Sequence, residues 1–260
     1  MITSPDNAHC KAARALHNKR VRYREGRYLV EGYRVVAQAL SQDVRLASLF
    51  FTPEQGESAA GCALLAQATE RNIACYGVTP QVMATLSDTV TPQGLLAVAE
   101  MAAPAPALDA QADLVLVLDD LRDPGNLGTI LRTAQATGVG AVLLSEACAD
   151  VYAPKVVRAA MGAHFRLPLW PDVAWDEIGR LVSGKACLLA DPHDGALPWA
   201  LDWRRPTALI VSSEAHGASE PARALATEHV SLPMRGEVES LNAAIATAVL
   251  LFEALRQRSV

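Results

Sequence analysis

A chain of 260 residues, 51% of them hydrophobic, has core enough for one large or two ordinary domains. A net charge of −5 argues against a protein that coats nucleic acid indiscriminately. No apolar stretch reaches the roughly 18 residues of a membrane span, and the start MITSPDNAHC lacks a signal-peptide hydrophobic region, so no membrane partner and a cytoplasmic location are expected.

The first segment of the chain is basic. Residues 1–34 carry Lys11, Arg14, Lys19, Arg20, Arg22, Arg24, Arg27 and Arg34 against Asp6, Glu25 and Glu31, a balance of +5 that leaves −10 for the rest. A local basic patch on an acidic body suits a protein that grips a phosphate backbone at one place, although a solvated helix and loop would have the same composition. The cysteines Cys10, Cys62, Cys75, Cys148 and Cys187 are odd in number and never spaced C-x-x-C. They predict reduced, mostly buried thiols and no metal site.

Short apolar runs YLVEG, RLASLFF, IACYGV and GLLAVAE then alternate with helical patterns at about 32–41, 57–71 and 80–86, the mark of a small α/β unit. EMAAPAPALDAQAD at 100–113, rich in alanine with two prolines and no periodicity, reads as a linker. The expected organisation is therefore a domain at 1–102, a linker at 103–112 and a second domain at 113–260. In the second domain LVLVLDD, GAVLLSE, KACLLAD, TALIVSSE and HVSLPM alternate with helical stretches at about 126–137, 154–161, 174–183, 218–226 and 240–257. Runs that are apolar at every position predict strands covered on both faces, hence a parallel sheet.

Ligands of open parallel sheets sit beyond the carboxyl ends of the strands. Three strand ends here carry unusual sequences: DPGNLG at 123–128, SSEAHGAS at 212–219 and LPMRGEVESLN at 232–242. Gly125 and Gly128 give only G-x-x-G, so the dinucleotide fingerprint G-x-G-x-x-G is missing and a nicotinamide oxidoreductase is disfavoured. Together the three loops suggest one composite site.

In their order along the chain, DPGNLGTILRTA, SSEAHGAS and LPMRGEVESLNAAIATA resemble the three motifs of the SpoU/TrmH RNA ribose 2′-O-methyltransferases, members of the SPOUT or α/β-knot superfamily. LHNKRVRYREGRYLVEGYRVVAQAL, at 16–40, resembles the substrate-binding domain that precedes the catalytic domain in the ribosomal-RNA members. The resemblance implies an α/β fold: a parallel-sheet catalytic domain with a deep trefoil knot, preceded by a smaller α/β RNA-binding domain resembling a ribosomal-protein fold. It also implies S-adenosylmethionine as cofactor, ribosomal RNA as substrate and a homodimer that shares its site. Ala243, Ala244, Ala246 and Ala248 make the last helix narrow enough for the close packing a knot needs. Transfer RNA as substrate, or a noncatalytic RNA-binding or ribosome-assembly factor, are the alternatives.

Carried over by position, Ser212, Gly217, Leu232, Met234 and Leu241 line the cofactor pocket, and Asn126, Arg132, Glu214, Ser240 and Asn242 are the catalytic candidates. Lys19, Arg20, Arg22 and Arg27 are the candidate RNA contacts. Asn126 and Ser240 are also good helix-capping residues and could be no more than that. The second motif more often reads G-x-E-G-x-G, whereas Ser212 and Ala215 stand here at the first two glycines, a cost of about 1 kcal/mol or more if either needs a left-handed backbone. Arginine has been cast as the general base in this family. Because a guanidinium is effectively always protonated, a charged Arg132 that clamps a phosphate and steadies a developing alkoxide is the better expectation.

Overall fold

The computed structural model describes all residues except 103–106, 110, 237–238 and 260, so the linker expected at 103–112 lies in part outside the described residues. The chain separates into two compact units, residues 1–103 with 152–165, and 104–151 with 166–260.

The first unit runs α1 (Ala8–Ala15), α2 (Lys19–Glu25), β1 (Arg27–Glu31), α3 (Tyr33–Ser41), β2 (Leu46–Phe51), α4 (Pro53–Glu57), α5 (Ala59–Glu70), β3 (Ala74–Gly77), α6 (Pro80–Leu86) and β4 (Leu95–Glu100). Asn7 and Asn18 cap α1 and α2 with their side chains, and Gly26, at φ +62, ends α2 in the left-handed conformation that glycine adopts without cost. The four strands form a mixed sheet in the order β1-β4-β2-β3, antiparallel except for β2 and β3. Leu29, Phe50, Leu96 and Val98 of this sheet pack on Leu16, Val82, Met83 and Leu86. Helices α1 and α2, of eight and seven residues, were not among the expected elements, because each is only about two turns long and gives a periodic pattern little room to repeat.

The second unit contains β5 (Leu114–Asp119), α7 (Pro124–Ala136) and β6 (Ala141–Ser145), and after the excursion that carries α8 (Pro154–Ala160) it continues with β7 (Leu169–Val173), α9 (Trp175–Leu181), β8 (Ala186–Ala190), β9 (Thr207–Ser212), α10 (Glu220–Leu225), β10 (Glu228–Val230) and α11 (Ala243–Arg258). Its six strands are all parallel, in the order β10-β8-β9-β5-β6-β7. β5 and β9, the central pair, are buried almost throughout, as their uninterrupted apolar runs predict.

Helix α8 groups with the first unit and packs on β1, which its apolar pattern alone could not reveal. Strand β7 was not expected either. Its sequence LWPDV contains Pro171, which a sheet accepts at an edge, and β7 is the edge strand beside β6. The expected strand HVSLPM is ordered as a strand only over Glu228–Val230. The thiols are less buried than composition suggests: Cys10 and Cys187 are buried, while Cys62 is exposed.

Candidate active site at the strand ends

β5 and β9 lie side by side in register, with Asp119 opposite Ser212, so the loops that follow them leave the sheet together. The first of these loops starts α7. The helix begins at Pro124, whose missing N–H costs nothing at that position, and Asp123 caps it by accepting the Asn126 N–H at 2.7 Å. Asn126 is therefore not the cap. Its side chain, one turn inside the helix, is free to reach elsewhere.

It reaches both other motifs. Asn126 Nδ2 donates to Glu214 Oε1 at 3.2 Å, and Asn126 Oδ1 accepts from Asn242 Nδ2 at 3.0 Å. Glu214 Oε1 also accepts the Ala243 N–H at 2.6 Å. Asn242, not Ser240, caps the last helix, its Oδ1 accepting the N–H groups of Ala244 and Ile245. Residues 88 and 116 positions from Asn126 thus meet it in one hydrogen-bonded group, with Glu214 and Asn242 exposed to solvent.

Beside this group lies a cavity of about 340 Å³, within the range of small-ligand sites. All five expected cofactor residues line it: Ser212, Gly217, Leu232, Met234 and Leu241. Glu214 and Ser240 do so as well, and Ala243, Ala246 and Leu250 present the inner face of α11. The small alanines there leave room where a larger side chain would fill the space. The lining fits S-adenosylmethionine chemically. Leucines, a methionine and backbone groups suit an adenine and a thioether arm, while Asp191, Glu239 and Arg223 offer charges of both signs to a zwitterionic amino-acid end.

Ser212 and Ala215 cause no backbone strain. Neither is among the non-glycine residues that have positive φ among the described residues (Asp43, Asn72, Asp120, Met161 and Asp172), whereas Gly217, at φ +66, does use the freedom of glycine. That removes backbone strain as a reason for considering a noncatalytic factor.

Arg132 stands apart from the cavity. It is exposed on α7, whose opposite face buries Leu127, Ile130, Leu131 and Ala134, and among the described residues its side chain makes no hydrogen bond or ion pair. Of the candidate RNA contacts, Lys19, Arg20 and Arg27 are exposed. Arg22 is corrected: it is 3% exposed, and its Nη1 donates to the Leu16 carbonyl at 2.6 Å, which fixes the junction of α1 and α2. Within KRVRYRE the charges read alike, and only the turn of the helix separates the inward arginine from its neighbours.

Sequence reasoning missed Asp119, Asp123, Asp191 and Arg223. Asp119 was signalled faintly, as a carboxylate closing a strand whose every other position is apolar. Among the described residues, no group of three or more His, Cys, Asp or Glu side chains could hold a metal ion, and no helix is long and apolar enough to cross a membrane.

Comparison with known proteins follows the same division of the chain. Residues 113–252 match the SpoU rRNA Methylase family, and residues 7–97 match the MRM3-like substrate binding domain. The chain is 37% identical to an uncharacterized tRNA/rRNA methyltransferase of Synechocystis sp. over 259 residues, 99% of this chain and 94% of that one. It is 32% identical to the 23S rRNA (guanosine(2553)-2′-O)-methyltransferase of Bacillus subtilis over 258 residues, 96% and 97% of the two chains. The crystal structure of the SpoU methyltransferase AviRb from Streptomyces viridochromogenes, in complex with the cofactor AdoMet, superposes with a TM-score of 0.84 at 30% identity, covering 97% of this chain and 98% of that one.

Proposed function

The chain belongs to the SpoU rRNA methylase family, and from that premise we propose how its residues divide the work of an S-adenosylmethionine-dependent methyltransferase that acts on a ribose 2′-hydroxyl of ribosomal RNA. The observation that carries the reading is the hydrogen-bonded group Glu214, Asn126 and Asn242, which joins all three motif loops at the rim of the cavity.

The cofactor supplies a methyl group on a sulfonium, an electrophile ready for in-line attack. Ser212, Gly217, Leu232, Met234 and Leu241 would hold it. Glu214 and Asn126 orient the loops around it, Asn242 fixes the start of α11, and Ser240, exposed at the rim, faces the incoming ribose. Arg132 clamps the phosphate next to the target and steadies the alkoxide as the hydroxyl proton leaves to water or another group.

An exposed Arg132 outside the cavity needs a second surface to bring it to the chemistry. Ile245, Val249 and Phe252, 54%, 46% and 54% exposed, form one stripe along α11 at helical spacing. A homodimer built on that stripe, with sites shared between protomers, is part of the proposal. So is the knot, for which the tie from the cap of α11 back to both earlier loops gives support. Lys19, Arg20 and Arg27 supply RNA grip from the first unit, and the place of action is the cytoplasm, where a bacterial ribosome is made.

Mapping ribose methylation across ribosomal and transfer RNA from cells with and without the protein tests the reading. One ribosomal position should lose its methyl group and regain it when purified protein and S-adenosylmethionine are added. An unchanged map, with no transfer in vitro, would refute it.

A further inference from the structure

Asp119 is the one carboxylate among the described residues that is buried, at 2% exposed. Placing such a group away from water is costly unless hydrogen bonds replace the water. Its bonds all go to one loop. Asp119 Oδ2 accepts the Ser212 hydroxyl at 3.1 Å and the Ser219 N–H at 2.7 Å, while its main-chain carbonyl accepts the Ser213 N–H at 3.1 Å. Ser212 is the last residue of β9, where the loop leaves the sheet, and Ser219 ends the loop at the cap of α10.

We infer that Asp119 is a positioning residue that pins both ends of the 212–219 loop and thereby holds the cavity wall in its ligand-ready shape. The inference rests on the cavity being the S-adenosylmethionine site. Between the two pins lie Glu214, which anchors Asn126 and the start of α11, and Gly217, which lines the cavity. The outer pin extends further. Ser219 caps α10 with its own side chain, so fixing its N–H also fixes the helix that carries Arg223 into the lining. A loop closed at both ends costs less ordering entropy when a ligand arrives, which appears as affinity.

The bonding oxygen matters more than the charge. Asparagine can place a carbonyl oxygen where Oδ2 now sits and keep both bonds, so Asp119→Asn should hold cofactor affinity within about threefold, whereas Asp119→Ala, losing both, should weaken it by roughly tenfold or more. Ser212→Ala removes one bond and should cost about two- to fivefold. RNA affinity should be unchanged in all three. Titration calorimetry with S-adenosylmethionine measures the first effect, and hydrogen exchange of the cofactor-free protein gives an independent reading: the Ser219 amide should lose protection in Asp119→Ala and keep it in Asp119→Asn. Equal damage from alanine and asparagine, or joint loss of cofactor and RNA affinity, would overturn the inference, as would a protected Ser219 amide in the alanine variant. If Asp119→Ala does not fold, Asp119→Asn decides by the same two readings, because Ser212 also lines the cavity: cofactor affinity and Ser219 amide protection both kept support the tether, and loss of either overturns it. A wild-type chain that failed to bind S-adenosylmethionine would strike the assignment of the cavity, while the exchange result would still judge the pin.

Discussion

The polar side chains at the ends of β5 and β9 spend their hydrogen bonds on one another across three loops, whereas Lys19, Arg20 and Arg27 are exposed around α2 and the start of β1, Lys19 over the Tyr23 ring and Arg27 3.8 Å from Glu100 on the neighbouring strand. The two regions answer different demands. Methyl transfer needs a nucleophile and an electrophile held to within fractions of an ångström, so its residues are fixed by partners on several loops. Gripping a phosphate backbone needs only positive charge at the right distance, and solvated cations on a small domain supply it additively. Interlocked groups should therefore fail together when one is removed, and independent charges should fail by degrees.

Arg132 cuts across this division, because it has the exposure of a patch residue and the proposed role of a site residue. Arg132→Ala should lower kcat by about 10²–10³-fold, the usual loss on removing one transition-state donor, and leave cofactor affinity within a few fold. Single-turnover methyl transfer with parallel calorimetry checks it; retained turnover would return Arg132 to the class of plain surface charges. Next in size, Glu214→Ala should lower kcat/KM by about 10²-fold through misplacement of Asn126 and the start of α11. Combined with Asn242→Ala it should cost far less than the two single effects added, because both act on one unit. Additive losses in that double-mutant cycle would mean the group is not interlocked. Smaller again is Arg22→Ala, which sits within the basic segment but should behave as a core change. Losing its bond to the Leu16 carbonyl should cost about 1–3 kcal/mol of stability, read from denaturant midpoints, with no change in the salt dependence of RNA binding.

The sequence made the parallel sheet plain because burial on both faces leaves β5 and β9 with no polar position until their ends. It made the three loops plain because their residues are out of place in any strand or helix. What it could not give was position along a helix end. Asn126 and Asn242 are equally good caps, and only Pro124, which sets where α7 begins, releases one of them while the other is kept. The tertiary use of α8 and the inward turn of Arg22 were hidden for a related reason: each depends on what another segment offers, which no local pattern records. Asp119 was hidden because a single carboxylate at a strand end carries no period.

Neutralising the basic patch tests the other side of the comparison. With Arg22 accounted for, the exposed cations to neutralise together are Lys19, Arg20 and Arg27. If each touches one phosphate, the slope of log affinity against log salt should flatten by somewhat under one per residue, by analogy with duplex DNA. Across a fourfold rise in salt, the wild type should then lose roughly 30-fold more RNA affinity than the triple variant. Cofactor affinity and the rate on saturating RNA should hold, because none of the three residues belongs to the unit that carries the cavity. Single substitutions should each give about a third of the slope change, the signature of independent contacts. A slope unchanged in the triple variant would leave the +5 of the first segment as a solvated surface and move the RNA grip to exposed cations of the second unit, such as Arg122 and Arg132. A slope change concentrated in one residue would instead mean that this region, too, contains a fixed and specific contact.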